Sequence, residues 1–490
     1  MNYRKEFGHF IDGEWIGSAS GETIQLQNPS TGENLAAIAA GGPDDADRAV
    51  RAADAALVKW SLSTSRERQE LILELANRLR ARSEDFAMLE TLNNGKPIAE
   101  SVHFDLPNAI GQFELFAGAP YWLDGSTHDY PDAMGFVHRE PIGVCVQIIP
   151  WNVPLIMMAA KIAPALAAGN TVVLKPAESV CLSILAFIDE VKDIIPKGVI
   201  NIVTGYGPDV GEALVTHPLT GKVSFTGSVP TGRKILQYAS QNIIPQTLEL
   251  GGKSAQIVCP SANVDAAVEG AIMSTVLNKG EICLAGSRVL VHESLQEEFL
   301  EKLKAGLEHL RIGDPTNMST QLGALASKAQ LEKVSKYIQI GVDEGAKVLT
   351  GGERVTGSGL ESGCFMQPTV FVDVDENMRI AQEEIFGPVL CVQAWKDEAE
   401  AIRIANATPF GLAGGIWTHD LTQAHRIARN MKAGIIWVNR YFNMKEGLPI
   451  GGYKQSGFGR EFALQSLDAY TQTKSVILNM TDEKVGIYDH

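Results

Sequence analysis

Between about residues 142 and 250, short apolar runs rich in β-branched residues alternate with helix-length segments. The runs are GVCVQII, TVVLK, VINIVTG, KVSFTG and TLEL. Each except the last passes through Pro, Gly, Ser or Asn signals into a helical pattern such as SVCLSILAFIDEVKDII. Strands that are apolar at successive positions must be covered on both faces, and helices between them supply the cover, so the region predicts a doubly wound parallel sheet. Ligands on such sheets bind beyond the carboxyl ends of the strands. A second alternating region runs from about 254 to 450, with SAQIVCP, SRVLVHE, AKVLTGG, PTVFVDV, PVLCVQAW, AGGIWTH and GIIWVN, several separated by helical stretches such as ESLQEEFLEKLKAGLEHL. No short fixed period recurs, which argues against a solenoid. The expected fold class is therefore α/β: two doubly wound, Rossmann-like α/β domains. Two segments fit neither sheet, 125–141 and the tail 472–490, where KSVILNM reads as a lone strand whose unpaired backbone should pair with another subunit.

A chain of 490 residues is long enough for two or three domains with large cores. Its formal net charge of −16 would repel phosphate backbones and anionic lipid, so neither nucleic acid nor a membrane surface is expected as a partner. The first twenty residues carry no apolar signal core, and the six cysteines show no CxxC spacing. Together these point to a reducing, cytoplasmic setting with free thiols and no metal site. The apolar stretch 143–174 is long enough to suggest a membrane span. Pro150, Asn152, Pro154, Lys161 and Pro164 interrupt it, and it reads as a buried strand, a turn and a core helix.

Cys283 sits in NKGEICLAGSR. A lone intracellular cysteine usually packs in a core. Here Gly280, Ala285 and Gly286 leave little side-chain bulk, so backbone N–H groups near the sulfur can face a ligand, while Asn278, Ser287 and Arg288 add polar capacity. Glu249 ends an apolar strand in QTLELGGKS; a glutamate is ordinarily a solvated surface group, but one partly buried at a strand end has a raised pKa and suits a general base. Asn152, in IIPWNVPL, follows another strand, where an amide must be satisfied or kept for an anion. Lys175 and Glu178 occupy a third strand end in VVLKPAES. TGYGPDVG and SFTGSVPTG are strand–turn–helix junctions whose amides suit phosphate, although neither is a GxGxxG fingerprint and ordinary turns look alike.

These stretches, in this order, resemble the aldehyde dehydrogenase superfamily. LELGGKS is similar to its glutamate signature and NKGEICLAGSR to its cysteine signature; PWNVP, KPAE, FTGS, EEIFGP and GGYKQSGFGRE match further motifs, from FIDGEW near the start to the C-terminal strand. The resemblance implies that residues 1–124 and 142–250 form an NAD-binding domain, 251–455 a catalytic domain, and 125–141 with 472–490 a small β oligomerisation arm of a homodimer or homotetramer. It implies Cys283 as nucleophile, Glu249 as the base that activates the hydrolytic water, Asn152 with the Cys283 amide as oxyanion donors, and Glu461 as a second glutamate in proton relay. Cofactor contacts are implied at Ile148, Pro150, Trp151, Lys175, Glu178, Gly207, Gly211, Phe225, Gly227, Ser228, Leu250, Gly251, Glu384 and Phe386. The implied chemistry is attack of the thiolate on an aldehyde, hydride departure to a nicotinamide, and hydrolysis of a Cys283 thioester to the acid. Glu178 beside the adenosine ribose would repel a 2′-phosphate, which predicts NAD over NADP.

Glu281 stands where many relatives carry glutamine. Apolar Ile282 and Leu284 flank the nucleophile, and Val153 and Ala160 replace larger aromatics of some relatives, which predicts a roomy pocket with Met157 and Tyr441 for a hydrophobic aliphatic, terpenoid or aromatic aldehyde. Arg440 and Phe442 stand near enough in sequence to alter that pocket. Two rival readings are a coenzyme-A-acylating relative, disfavoured by Glu249, and a non-catalytic binding or structural protein on the same fold, disfavoured by the intact Cys283, Glu249 and Asn152.

Overall fold

The computed structural model of the chain describes residues 3–357, 359–484 and 486–487; residues 1–2 of the expected cofactor domain, residue 358 of the expected catalytic domain, and residues 485 and 488–490 of the expected arm lie outside them. The first alternating region supplies β1 (Val144–Ile148), α1 (Pro154–Ala167), β2 (Thr171–Lys175), β3 (Ile200–Ile202), β4 (Thr220–Gly227), α2 (Val229–Ala239) and β5 (Gln246–Leu250). The five strands are parallel and ordered 5-4-1-2-3. Strand order reverses between β1 and β4, and a doubly wound sheet opens its ligand crevice at that point. His9–Ile11 joins antiparallel beside β3, Glu14–Ile16 pairs with it, and Gly457–Phe458 pairs antiparallel with β5 at the opposite edge. The strand, turn and core helix expected over 143–174 are β1, the 150–153 turn and α1, every residue of which is buried. Pro154 opens α1, where a missing N–H costs nothing.

The second region supplies β6 (Ala255–Val258), β7 (Arg288–His292), α3 (Lys328–Asp343), β8 (Lys347–Thr350), β9 (Thr369–Val372), β10 (Val389–Trp395), β11 (Ala413–Trp417) and β12 (Ile435–Val438). Their order is 8-9-10-7-6-11-12, parallel except for the edge strand β8. β6, β7, β10 and β11 are almost wholly buried, which is why their sequences read as continuous apolar runs.

The C-terminal strand is not alone. Thr471–Asn479 pairs in full antiparallel register with Ala133–Pro141 of the same chain, and Ser126–Asp129 completes a three-stranded sheet. The expectation that it must find its partner on another subunit is corrected for this edge; its outer edge carries no strand among the described residues. No helix among those residues is long and apolar enough to cross a membrane, and no group of three or more acidic, His or Cys side chains there is placed to hold a metal ion.

Candidate active site

Two connected cavities open at the strand-order reversal. The outer one, about 400 Å³, is floored by Ile148, Pro150 and Trp151 from the end of β1 and by Phe225, Gly227 and Ser228 from the end of β4. Lys175 and Glu178, after β2, stand at its side together with Gly207 and Gly211. The inner one, about 200 Å³, shares Pro150, Trp151, Gly227 and Ser228, and adds Asn152, Glu249, Leu250, Gly251, Cys283, Glu384 and Phe386. All fourteen expected cofactor contacts line one or both, as do Cys283, Glu249 and Asn152.

The residues of the outer cavity fit a dinucleotide. Ser228 caps α2, an eleven-residue helix, by accepting from the Thr231 amide, so the positive end of that helix faces the cavity beside Gly227. The second glycine-rich junction forms a tight turn over Gly207–Gly211 that runs into a five-residue helix. Lys175 Nζ lies 3.5 Å from Glu178 Oε2 and donates to the Pro176 carbonyl at 2.9 Å. Burial pulls the lysine pKa down, while the neighbouring Glu178 charge works against that. Thr226 lines both cavities, and its Oγ1 is buried with no hydrogen-bond partner among the described residues.

At the inner end the catalytic loop is tightly wound. Asn278, Lys279 and Gly280 all have positive φ, and a Cβ on Gly280 would run into the backbone of Gly387. Asn152 Nδ2 donates one N–H to the Glu281 carbonyl at 2.9 Å, which fixes the amide and leaves its other N–H available to the cavity. The Cys283 thiol is pushed up to about 12, by burial first and then by the charges of Glu384 and Glu249; the Leu284 and Cys283 amides oppose the rise. Desolvation thus favours the neutral thiol, and a neighbouring base helps to generate the thiolate. Glu249 Oε1 is buried without a partner, and burial together with the adjacent Glu461 charge holds its pKa well above the usual carboxylate range. A carboxyl raised in this way suits proton exchange with a neighbouring group.

A thiol, a raised carboxyl and a side-chain amide thus share one small chamber at the inner end of the crevice. The model of the aldehyde dehydrogenase family matches residues 15–476. The chain belongs to that family. It is 42% identical over its whole length, and over 96% of the other chain, to an aldehyde dehydrogenase of Deinococcus radiodurans. Among solved structures it resembles PnpE from Pseudomonas sp. WBC-3 (39% identity, 99% of this chain and all of that one, TM-score 0.97). An NAD⁺ complex of aldehyde dehydrogenase from Bacillus cereus is similarly close (40% identity, 97% of each chain, TM-score 0.95).

Other expected residues of this aldehyde dehydrogenase fall elsewhere. Val153 and Met157 line the inner cavity. Ile282, Leu284 and Tyr441 do not: all three are buried in the hydrophobic cluster around the second sheet, where the Tyr441 hydroxyl donates to the Leu284 carbonyl at 2.9 Å. The pocket expected from these three is corrected accordingly. Cys283 itself lines the cavity and also packs against this core. Ala160 is buried in α1 and lines neither cavity. Glu461 stands behind Glu249, with Oε1 2.5 Å from Lys161 Nζ and 3.1 Å from Ser224 Oγ.

Several contributors were not singled out from sequence. Gln330 and Lys333, on the first turns of α3, line the inner cavity. Gln330 donates to the carbonyl of Phe386, itself at φ +62° with its ring edge-on to Trp151 at 5.3 Å. Ser456 clamps the end of β5 by accepting from the Leu250 amide with its carbonyl and donating its hydroxyl to the Gly251 carbonyl at 2.8 Å. The polar GGYKQSG run was the one available signal for Ser456; an amphipathic helix offers none for Gln330 or Lys333.

Proposed function

We propose that the enzyme oxidises a hydrophobic aliphatic, terpenoid or aromatic aldehyde to the carboxylic acid, with NAD preferred over NADP, through a covalent acyl group on Cys283. The observation that carries this reading is the shared chamber of Cys283, Glu249 and Asn152 at the inner end of the crevice. Glu249 takes the thiol proton, and the sulfur adds to the aldehyde carbon. The resulting oxyanion is held by the free N–H of Asn152 and by the backbone amides beside the sulfur. Lys175, Glu178 and the α2 N-terminus would hold a dinucleotide, which would supply the hydride acceptor needed to take the adduct to a thioester. Glu249 passes the first proton on to Glu461, which Lys161 holds from behind, then deprotonates the water that attacks the thioester and gives that proton to the departing Cys283 sulfur as the acid leaves.

Apolar Val153 and Met157 in the inner cavity support a hydrophobic substrate. Glu178 at the side of the outer cavity supports selection against a 2′-phosphate. Assembly as a homodimer or homotetramer is supported by the outer edge of Thr471–Asn479, where Val476, Ile477 and Leu478 are exposed. Six unpaired cysteines suit a reducing cytoplasm. The test is product analysis across short, long, aromatic and charged aldehydes with NAD, with and without coenzyme A. Free acid in both conditions, with highest efficiency for an apolar aldehyde, is the expected result. An acyl-coenzyme A product, or preference for a charged aldehyde, would overturn the respective part.

A further inference from the structure

The two halves of the reactive chamber come from different domains: Asn152 follows β1 of the first, and Cys283 precedes β7 of the second. Their relative position therefore depends on what crosses the junction between them. Asn94, fully buried at the last position of helix Ser83–Asn94, does so with every polar atom of its side chain. Its amide Nδ2 donates to the carbonyls of Trp151 at 3.0 Å and Asn152 at 3.3 Å. Its side-chain oxygen and its own carbonyl, the latter at 3.1 Å, accept from Lys279 Nζ.

Lys279 belongs to the nucleophile loop and is itself held in the left-handed region at φ +61°, next to Asn278 at +46°. Its ammonium is also 3.0 Å from Glu281 Oε2, whose other oxygen accepts from the Ala326 amide at 3.1 Å. Asn278 closes the figure by donating from Nδ2 to the Asn152 carbonyl at 2.9 Å and from its backbone amide to Glu100 Oε2 at 2.7 Å. A loop wound through two consecutive left-handed side-chain-bearing residues keeps that shape only while its surroundings hold it.

We propose that Asn94 is a positioning residue: it ties the Lys279 loop to the Trp151–Asn152 turn, and so sets the distance between the nucleophile and the oxyanion donor. The proposal rests on the roles given above to Cys283 and Asn152. A misplacement of about 1 Å costs roughly 10²-fold in rate. Asn94→Ala should therefore lower kcat for aldehyde oxidation by about that factor, with KM for the aldehyde and affinity for NAD changed by no more than a few-fold.

Alkylation of Cys283 by iodoacetamide separates positioning from loosening. The sulfur displaces iodide from a saturated carbon and no oxyanion forms, so the alkylation rate should stay within about threefold of wild type. If Asn94→Ala does not fold, Asn94→Asp retains oxygens for Lys279 and loses only the donors to the turn, and the same split is expected. Undiminished turnover in the variant, or turnover and alkylation falling in parallel, overturns the proposal. If instead alkylated wild-type enzyme still oxidises aldehyde, the assignment of Cys283 itself is wrong.

Discussion

Replacing Asn152 with alanine removes one hydrogen-bond donor from the chamber and little else. The side chain makes a single protein hydrogen bond, from Nδ2 to the Glu281 carbonyl at 2.9 Å. That carbonyl keeps a second donor in Asn278 Nδ2 at 3.1 Å, so it is not orphaned. The carbonyl of residue 152 still accepts from Asn94 and Asn278, which preserves the turn. The expected stability cost is that of one ordinary buried hydrogen bond, about 1 kcal/mol. Loss of an oxyanion donor costs far more in the transition state, about 2.7–4 kcal/mol or 10²–10³ in kcat. The backbone amides beside Cys283 remain, so turnover should be reduced and not abolished. Because the interaction exists only once the oxyanion forms, kcat and kcat/KM should fall together, read from the absorbance of reduced nicotinamide with hexanal or benzaldehyde. A folded Asn152→Ala enzyme that turns over within about fivefold of wild type would refute the assignment of this amide.

Further outcomes follow from other parts of the molecule. Glu100 is half-buried, and its carboxyl is pushed up to about 8, chiefly by desolvation. A raised folded-state pKa gives stability that is fully present below the unfolded value of about 4.5 and lost as pH rises toward about 8. Glu100→Gln, which can still accept from the Asn278 amide, should gain in Tm relative to wild type from about pH 5 to about pH 8 and level off above; a pH-independent difference contradicts the burial argument. Glu178→Ser should narrow the NAD-to-NADP ratio of kcat/KM by at least about fivefold, since two charges 4 Å apart interact by about 1 kcal/mol even in water; an unchanged ratio removes Glu178 from cofactor choice. Ile477→Lys, on the open edge of the arm, should shift the size-exclusion profile toward smaller species, and an unchanged assembly would mean that the edge is not an interface.

The parallel strands were legible because they are buried on both faces and must be apolar at every position, so β1, β2, β4 and β7 stood out without any alternation. Strand ends were equally legible, and with them Asn152, Lys175 and Glu249, because a polar residue that terminates such a run has few reasons to be there. The pairing within the arm was not. Ala133–Pro141 is half-buried except at exposed His138 and mixes Met, Phe and Val with His, Arg and Glu, so neither period nor composition marks it as the partner of Thr471–Asn479. The neighbours of Cys283 misled for a different reason. Adjacency in sequence suggests adjacency in a pocket, but three consecutive positive φ angles just upstream turn the loop, and Ile282 and Leu284 go to the core. Lys333 and Gln330 were invisible because α3 reaches the chamber about fifty residues after Cys283, on a helix whose polar positions look like any solvated face.

The covalent acyl group on Cys283 is the claim on which the rest depends, and it can be observed directly. Glu249→Gln should slow formation of the thiolate and slow the attack of water more, because water is the weaker acid, so the thioester should form gradually and then accumulate. Rapid acid quench of that variant, mixed with aldehyde and NAD, followed by peptide mass spectrometry, should give reduced nicotinamide stoichiometric with subunits and an acyl group on the peptide containing Cys283. Reduced nicotinamide without any acyl mass on Cys283, or undiminished acid production by a folded Cys283→Ala enzyme, would contradict it.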